Sequence, residues 1–108
     1  MSEIEQMETL LEEAKAFELA VNNKIISTKQ TIQKNLDNIA QSYGYDNIDS
    51  CAKYIGYPNK YQEQSLALLI WTAKVWEAAE SYLGNLRPKE ILNIDESRIM
   101  SGLPRLSF

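Results

Sequence analysis

The chain has 108 residues, of which 44% are hydrophobic and 24% charged, with a formal net charge of −4. That is enough for one domain with one core, and a domain of this size buries only about 60–70% of its unfolded surface, so partners would add materially to its stability. There is no histidine and a single cysteine, Cys51, which removes the usual neutral-pH base, the commonest metal ligand and any intrachain disulfide, and no cofactor or metal is expected.

Residues 3–43 contain neither Gly nor Pro, and the pattern predicts one long helix, or two nearly collinear ones. Ser2 and Glu5 have capping-box spacing, and Gly44 supplies a stop. Read in heptads, the a positions are Ile4, Leu11, Glu18, Ile25, Ile32 and Ile39, and the d positions Met7, Ala14, Val21, Thr28 and Asn35. The stripe is amphipathic and coiled-coil-like, with a d series that weakens toward its end. Ile4, Leu11, Val21, Ile25, Ile32 and Ile39 are therefore the candidates for self-association as a dimer or trimer. An alternative is a break near Asn22-Asn23 that folds the chain into a compact bundle. On the long-helix reading, residues 1–43 form the oligomerisation helix and residues 44–108 a small helical domain with a C-terminal tail.

Residues 45–58 predict a short helix with Ile48, Cys51, Ala52 and Ile55 on one buried face, ended by Gly56 and Pro58. Asn59 to Leu83 predicts a central helix, with Asn59 as N-cap and Gly84 as stop. Its two apolar stripes, Leu66/Leu69/Ile70/Ala73/Trp76 and Leu68/Trp71/Val75/Ala79/Tyr82, cover most of its circumference. Tyr54, Tyr57 and Tyr61 cluster around the Gly-Pro turn. With Trp71 and Trp76 they are candidates either for the core or for a partner interface, since tyrosines serve both roles. The tail predicts a short helical piece from Pro88 to Leu92 and another turn from Asp95 to Met100, in a mostly irregular setting. The fold class is all-α.

Charge is unevenly spread: residues 1–18 hold six glutamates against one lysine, Lys15. No segment is basic enough for a phosphate-backbone footprint, so no nucleic-acid partner is expected, and a small helical DNA-binding regulator is a distant alternative. The longest apolar run, Leu66 to Ala73, is far short of the roughly 20 residues that span a bilayer, and no basic-then-apolar leader opens the chain, so no membrane partner is expected. Glu63, Glu77 and Glu80 share a helix face that paired carboxylates could use for acid–base chemistry. With Lys74 three residues before Glu77, a solvated face is the plainer account, and no enzyme activity is expected.

From about residue 36 to the C-terminus, an ordered set of landmarks resembles a family of small bacteriophage tail-associated, late virion-assembly proteins. The landmarks are Leu36-Asp37-Asn38-Ile39-Ala40, Gly44-Tyr45-Asp46-Asn47-Ile48 and Ser50-Cys51-Ala52-Lys53-Tyr54. They continue with Gly56-Tyr57-Pro58-Asn59, Gln62-Glu63-Gln64, Trp71, Val75-Trp76, Tyr82-Leu83, Arg87-Pro88 and Leu103-Pro104. Thr72 and Ala73 stand where the family usually carries Arg and then Asp or Ser, and the N-terminal helix lies outside the resemblance. The resemblance implies a non-enzymatic structural or adaptor protein of the virion tail, assembled in the host cytoplasm and docking onto tail or tail-fibre proteins. A tail-fibre assembly chaperone absent from the mature particle is the alternative.

Overall fold

The computed structural model describes residues 2–107. They form an all-α chain of three α-helices, α1 (Glu3–Ser42), α2 (Gln62–Asn85) and α3 (Pro88–Leu92), and two 3-10 helices, Asp49–Tyr54 and Glu96–Gly102. The molecule is elongated, 72 × 22 × 19 Å.

The long helix is one continuous element of 40 residues, without a break at Asn22-Asn23. Both halves of the capping box are present: Glu5 N–H donates to Ser2 Oγ at 3.2 Å, and Ser2 N–H donates to Glu5 Oε2 at 3.3 Å. The helix ends in a Schellman turn, with Tyr45 N–H on the Ala40 carbonyl and Gly44 N–H on the Gln41 carbonyl. That turn needs a left-handed residue, and Gly44 provides it at φ +95°.

Only the C-terminal half of α1 is packed. Its buried residues are Val21, Thr28, Ile32, Leu36 and Ala40. They depart from the heptad series because a straight helix repeats every 3.6 residues, so its buried face drifts off a strict 3.5-residue stripe. Ile39, an a position, is consequently left 36% exposed, while Leu36 is wholly buried. Against this half pack Leu68, Trp71, Val75, Ala79 and Leu83 of α2, then Ile91, Ile94, Ile99 and Leu103 from the end of the chain. The core therefore draws on both sides of residue 43. The natural change of environment lies near residue 20, since every residue from 2 to 20 is exposed.

The segment after Gly44 is a 3-10 helix rather than an α-helix. With three residues per turn, Ile48, Cys51 and Tyr54 fall on one side. Ile48 and Cys51 are buried and Tyr54 packs against the core, but Ala52 and Ile55 face solvent, contrary to the α-helical expectation. Asn59 is not the cap of α2, which starts three residues later at Gln62 with Tyr61 as N-cap. Its side chain is engaged in the turn instead, donating to the Tyr54 and Tyr57 carbonyls and accepting from Tyr61 N–H, each at 2.8 Å. Nor does Gly84 end α2, which runs through Asn85. The chain leaves the helical region at Leu86, at φ −85°, ψ 144°, and the residue before Pro88 is held extended as well. Arg87 accordingly sits at φ −74°, ψ 156°. Of the two apolar stripes expected on α2, Leu68, Trp71, Val75 and Ala79 of one are buried, but Tyr82 at its end is exposed. Leu66 and Ile70 of the other remain about half exposed.

Candidate interaction surface

The C-terminal half of α1 is held by specific polar contacts as well as by packing. Thr28 is fully buried, and its hydroxyl sits 2.8 Å from the Lys24 carbonyl and 3.2 Å from Glu96 Oε1. Lys24 Nζ lies 3.9 Å from the other oxygen of Glu96, tying the second 3-10 helix to the middle of α1. At the far end, Asp37 accepts a hydrogen bond from Ile48 N–H at 3.0 Å, which fixes the turn after Gly44. Among the described residues no buried side-chain nitrogen or oxygen lacks a partner.

The aromatic residues divide. Trp71 is buried in its own chain and its indole N–H donates to the Pro104 carbonyl at 2.8 Å, pinning the tail onto α2. Trp76 is half-buried against the same core. Tyr54 and Tyr61 stack edge to face at 5.4 Å, and both meet Tyr45, at 5.5 and 6.5 Å. Tyr45, which the Gly-Pro turn alone did not bring into view, is the centre of this cluster: it is buried and its hydroxyl reaches Ser65 Oγ at 2.8 Å and Gln64 Oε1 at 2.9 Å. Tyr57 lies outside, 54% exposed. Four of the five aromatic candidates thus contact the body of their own chain.

Burial pushes the Cys51 thiol above its ordinary pKa, with a backbone hydrogen bond opposing and Asp49 adding to the shift. Cys51 is a small apolar side chain of the core. Among the described residues, no cluster of three or more His, Cys, Asp or Glu could hold a metal ion, and Glu63, Glu77 and Glu80 are all exposed.

The self-association residues divide as well. Val21 and Ile32 are buried in the chain's own core and Ile25 packs against it. The body folds back onto α1 at these positions and takes up the surface that a partner helix would have needed. Ile39 is at the margin. Only Ile4 and Leu11, 69% and 55% exposed, stand clear of the body. They are not alone there. Met7, Leu10 and Phe17 are also exposed, by 68%, 64% and 41%. At 100° per residue, Ile4, Met7, Leu10, Leu11, Ala14 and Phe17 all fall within an arc of roughly 140° that also contains Val21, Ile25, Thr28 and Ile32. The exposed face is thus the upstream continuation of the buried one. The heptad reading missed Leu10 and Phe17, both g positions; counting every apolar residue within the arc would have found them.

The root of this arm has its own features. Phe17 lines a shallow cleft with Asn85, Arg87, Pro88, Lys89 and Glu90, where α3 first meets α1. Beyond it the arm carries five of the six glutamates and Lys15, which among the described residues has no ion-pair partner, and Glu18 follows Phe17.

No helix among the described residues is long and apolar enough to cross a membrane. No protein-family model, curated protein or solved structure matches the chain.

Proposed function

We propose that this chain is a non-enzymatic assembly protein whose N-terminal arm is its association surface. The carrying observation is the environment of residues 2–20: all are exposed, yet they present an apolar face in line with the buried stripe of the same helix. Contiguous apolar patches of this kind mark association surfaces. The body supplies the complementary half of the reading, since its two tryptophans, Tyr45 and Tyr54 serve its own core and leave the arm as the longest run of exposed apolar residues.

The resemblance over residues 36–108 supports a bacteriophage setting, as a structural or adaptor protein of the tail that self-associates and docks onto a tail or tail-fibre protein. Quantitative mass spectrometry of purified particles tests that setting. A fixed copy number per tail is expected. Absence from particles, with loss of tail fibres when Leu11→Glu is introduced, would replace the virion component with an assembly chaperone. Particles and fibres unaffected by deletion of the whole chain would remove the assembly role.

A further inference from the structure

Four tyrosines from separate parts of the body meet around one small cleft. Tyr43 and Gly44 lie in the turn that ends α1, Tyr45 follows it, Tyr54 closes the first 3-10 helix and Tyr61 caps α2. Together they line a space of about 150 Å³. The ring planes of Tyr45, Tyr54 and Tyr61 are inclined to one another by 66°, 75° and 68°, with centroids 5.5, 6.5 and 5.4 Å apart. Rings inclined so steeply form the walls of a corner and not a flat stack. For three perpendicular walls spaced in this way, a group seated in the corner lies about 4 Å from each ring, inside the roughly 6 Å over which a cation is drawn to an aromatic face. The chain already sets a cation on one of these rings: Lys60 Nζ lies over Tyr61, 4.9 Å from its centroid. The cleft is open at Gly44, where a Cβ would meet no atom within 4 Å. We infer that this cleft binds the head of a quaternary ammonium ion. The inference concerns the body alone and does not rest on the arm being an association surface.

Two observations narrow the ligand to that class. The first is the lining, which consists of tyrosines and a glycine with no carboxylate among them. A primary ammonium or a guanidinium brings several N–H donors, and either would give up hydration there without an ion-pair partner. A quaternary ammonium has no N–H to satisfy, and aromatic walls suffice to hold it. The second is size. The space is below the roughly 300 Å³ at which pockets for drug-sized ligands begin, so it admits a compact head group and not a nucleoside or an oligosaccharide. A third observation shows that the walls are set in advance. Tyr45 is buried, and its hydroxyl is engaged by Gln64 Oε1 at 2.9 Å and Ser65 Oγ at 2.8 Å. Tyr54 packs against the core. Asn59 ties Tyr54 to Tyr61 by donating to the carbonyl of one and accepting from the N–H of the other, each at 2.8 Å. A site ordered before its ligand arrives loses little affinity to ordering on binding. Tyr43 and Tyr61 are each 40% exposed and so within reach of a ligand from solvent. The net charge of −4 favours the approach of any cation.

Isothermal titration of the full chain at constant ionic strength tests this, with tetramethylammonium, choline and the neutral isostere of choline in which a tert-butyl group replaces trimethylammonium. Both cations are expected to bind with millimolar dissociation constants, and the neutral isostere about tenfold more weakly. Tyr61→Leu keeps an apolar side chain but removes the aromatic face, and is expected to weaken choline binding by about tenfold, whereas Tyr61→Phe keeps the ring and should bind as the parent chain does. Unchanged helical circular dichroism confirms that the variants fold. If Tyr61→Leu does not, Tyr43→Leu, at an equally exposed position, makes the same comparison. Equal binding of choline and its neutral isostere would overturn the cation site and leave an apolar hollow. Absence of binding by either cation at tens of millimolar would overturn the site altogether, as would Tyr61→Leu and Tyr43→Leu that both bind like the parent. Co-sedimentation with phosphatidylcholine vesicles identifies the source of the head group. Pelleting that free choline reverses assigns a lipid, and choline binding without pelleting assigns a free molecule; both results support the site.

Discussion

Two leucines of the same helix show how much position decides at the level of single residues. Leu36 is fully buried between α1 and the body, whereas Leu11 is 55% exposed on the arm. Removing three carbon atoms from Leu36 opens a cavity in a close-packed region, and Leu36→Ala is expected to destabilise the fold by about 2–5 kcal/mol. Leu11→Ala deletes the same atoms where water already reaches them, so unfolding of the dilute monomer should change by no more than about 0.5 kcal/mol. Urea denaturation at sub-micromolar concentration measures both, and equal losses would contradict the division of α1 into a packed and an unpacked half. Part of this division was legible in the sequence. The apolar face of α1 is plain from spacing, but spacing gives the direction of a side chain and not what lies opposite it. Val21, Ile25 and Ile32 are as good a coiled-coil seam as Ile4 and Leu11. What separates them is that α2, α3 and the second 3-10 helix come back to cover one group and not the other, a non-local event that local periodicity does not carry. Tyr45 was missed for the same reason, since its partners Ser65 and Gln64 are about 20 residues away.

Element boundaries follow local rules where a single interaction decides them. Ser2 and Glu5 start α1 and Gly44 ends it, each through hydrogen bonds that the sequence specifies. Boundaries fail where two rules compete. Asn59 has the side chain of an N-cap, but the Gly-Pro turn offers it two carbonyls and it binds those. Gly84 has no conflict with a helix and is simply carried through, α2 ending at Asn85 just ahead of the extended pair Leu86-Arg87. Helical continuity through the arm needs little help: it is an extension of a helix already nucleated by tertiary packing, and its Glu, Leu, Ala and Lys residues are strong helix formers. The arm's charges therefore bear on pairing more than on its own folding. Exposed ion pairs contribute modestly, about 0.2–1 kcal/mol each. Residues 1–18 hold six glutamates against Lys15, so Lys15→Glu adds like charge to a surface that two arms would bring together, and it is expected to weaken self-association by roughly two- to fivefold at low salt. Sedimentation equilibrium at low and high salt checks this, and an association constant unchanged by the substitution at low salt would take the arm's charge out of the contact.

The whole molecule is a compact body from which a single helix projects. Its hydrogen bonds and ion pairs across elements lie at residue 24 and beyond, among them Thr28 and Lys24 to Glu96, Asp37 to Ile48, Tyr45 to Ser65 and Trp71 to Pro104. Residues 2–17 contribute only the capping box and bonds within the helix. Core and arm are therefore energetically separable, and association acts on stability only through mass action: a partner that binds the folded chain raises its unfolding midpoint in proportion to the logarithm of concentration. Deleting residues 2–17 should leave a monomer with the same cooperative unfolding as the dilute full chain. The near-ultraviolet signal of Trp71 and Trp76 should be unchanged, and the melting temperature should no longer depend on concentration. The full chain should instead show a midpoint that rises with concentration. Thermal scans of both proteins over a hundredfold concentration range make the comparison. A truncated protein that loses its near-ultraviolet signal would mean that the arm supports the body, and equal concentration dependence in both would place the association surface on the body, where Leu66 and Ile70 of α2 are the next exposed apolar pair.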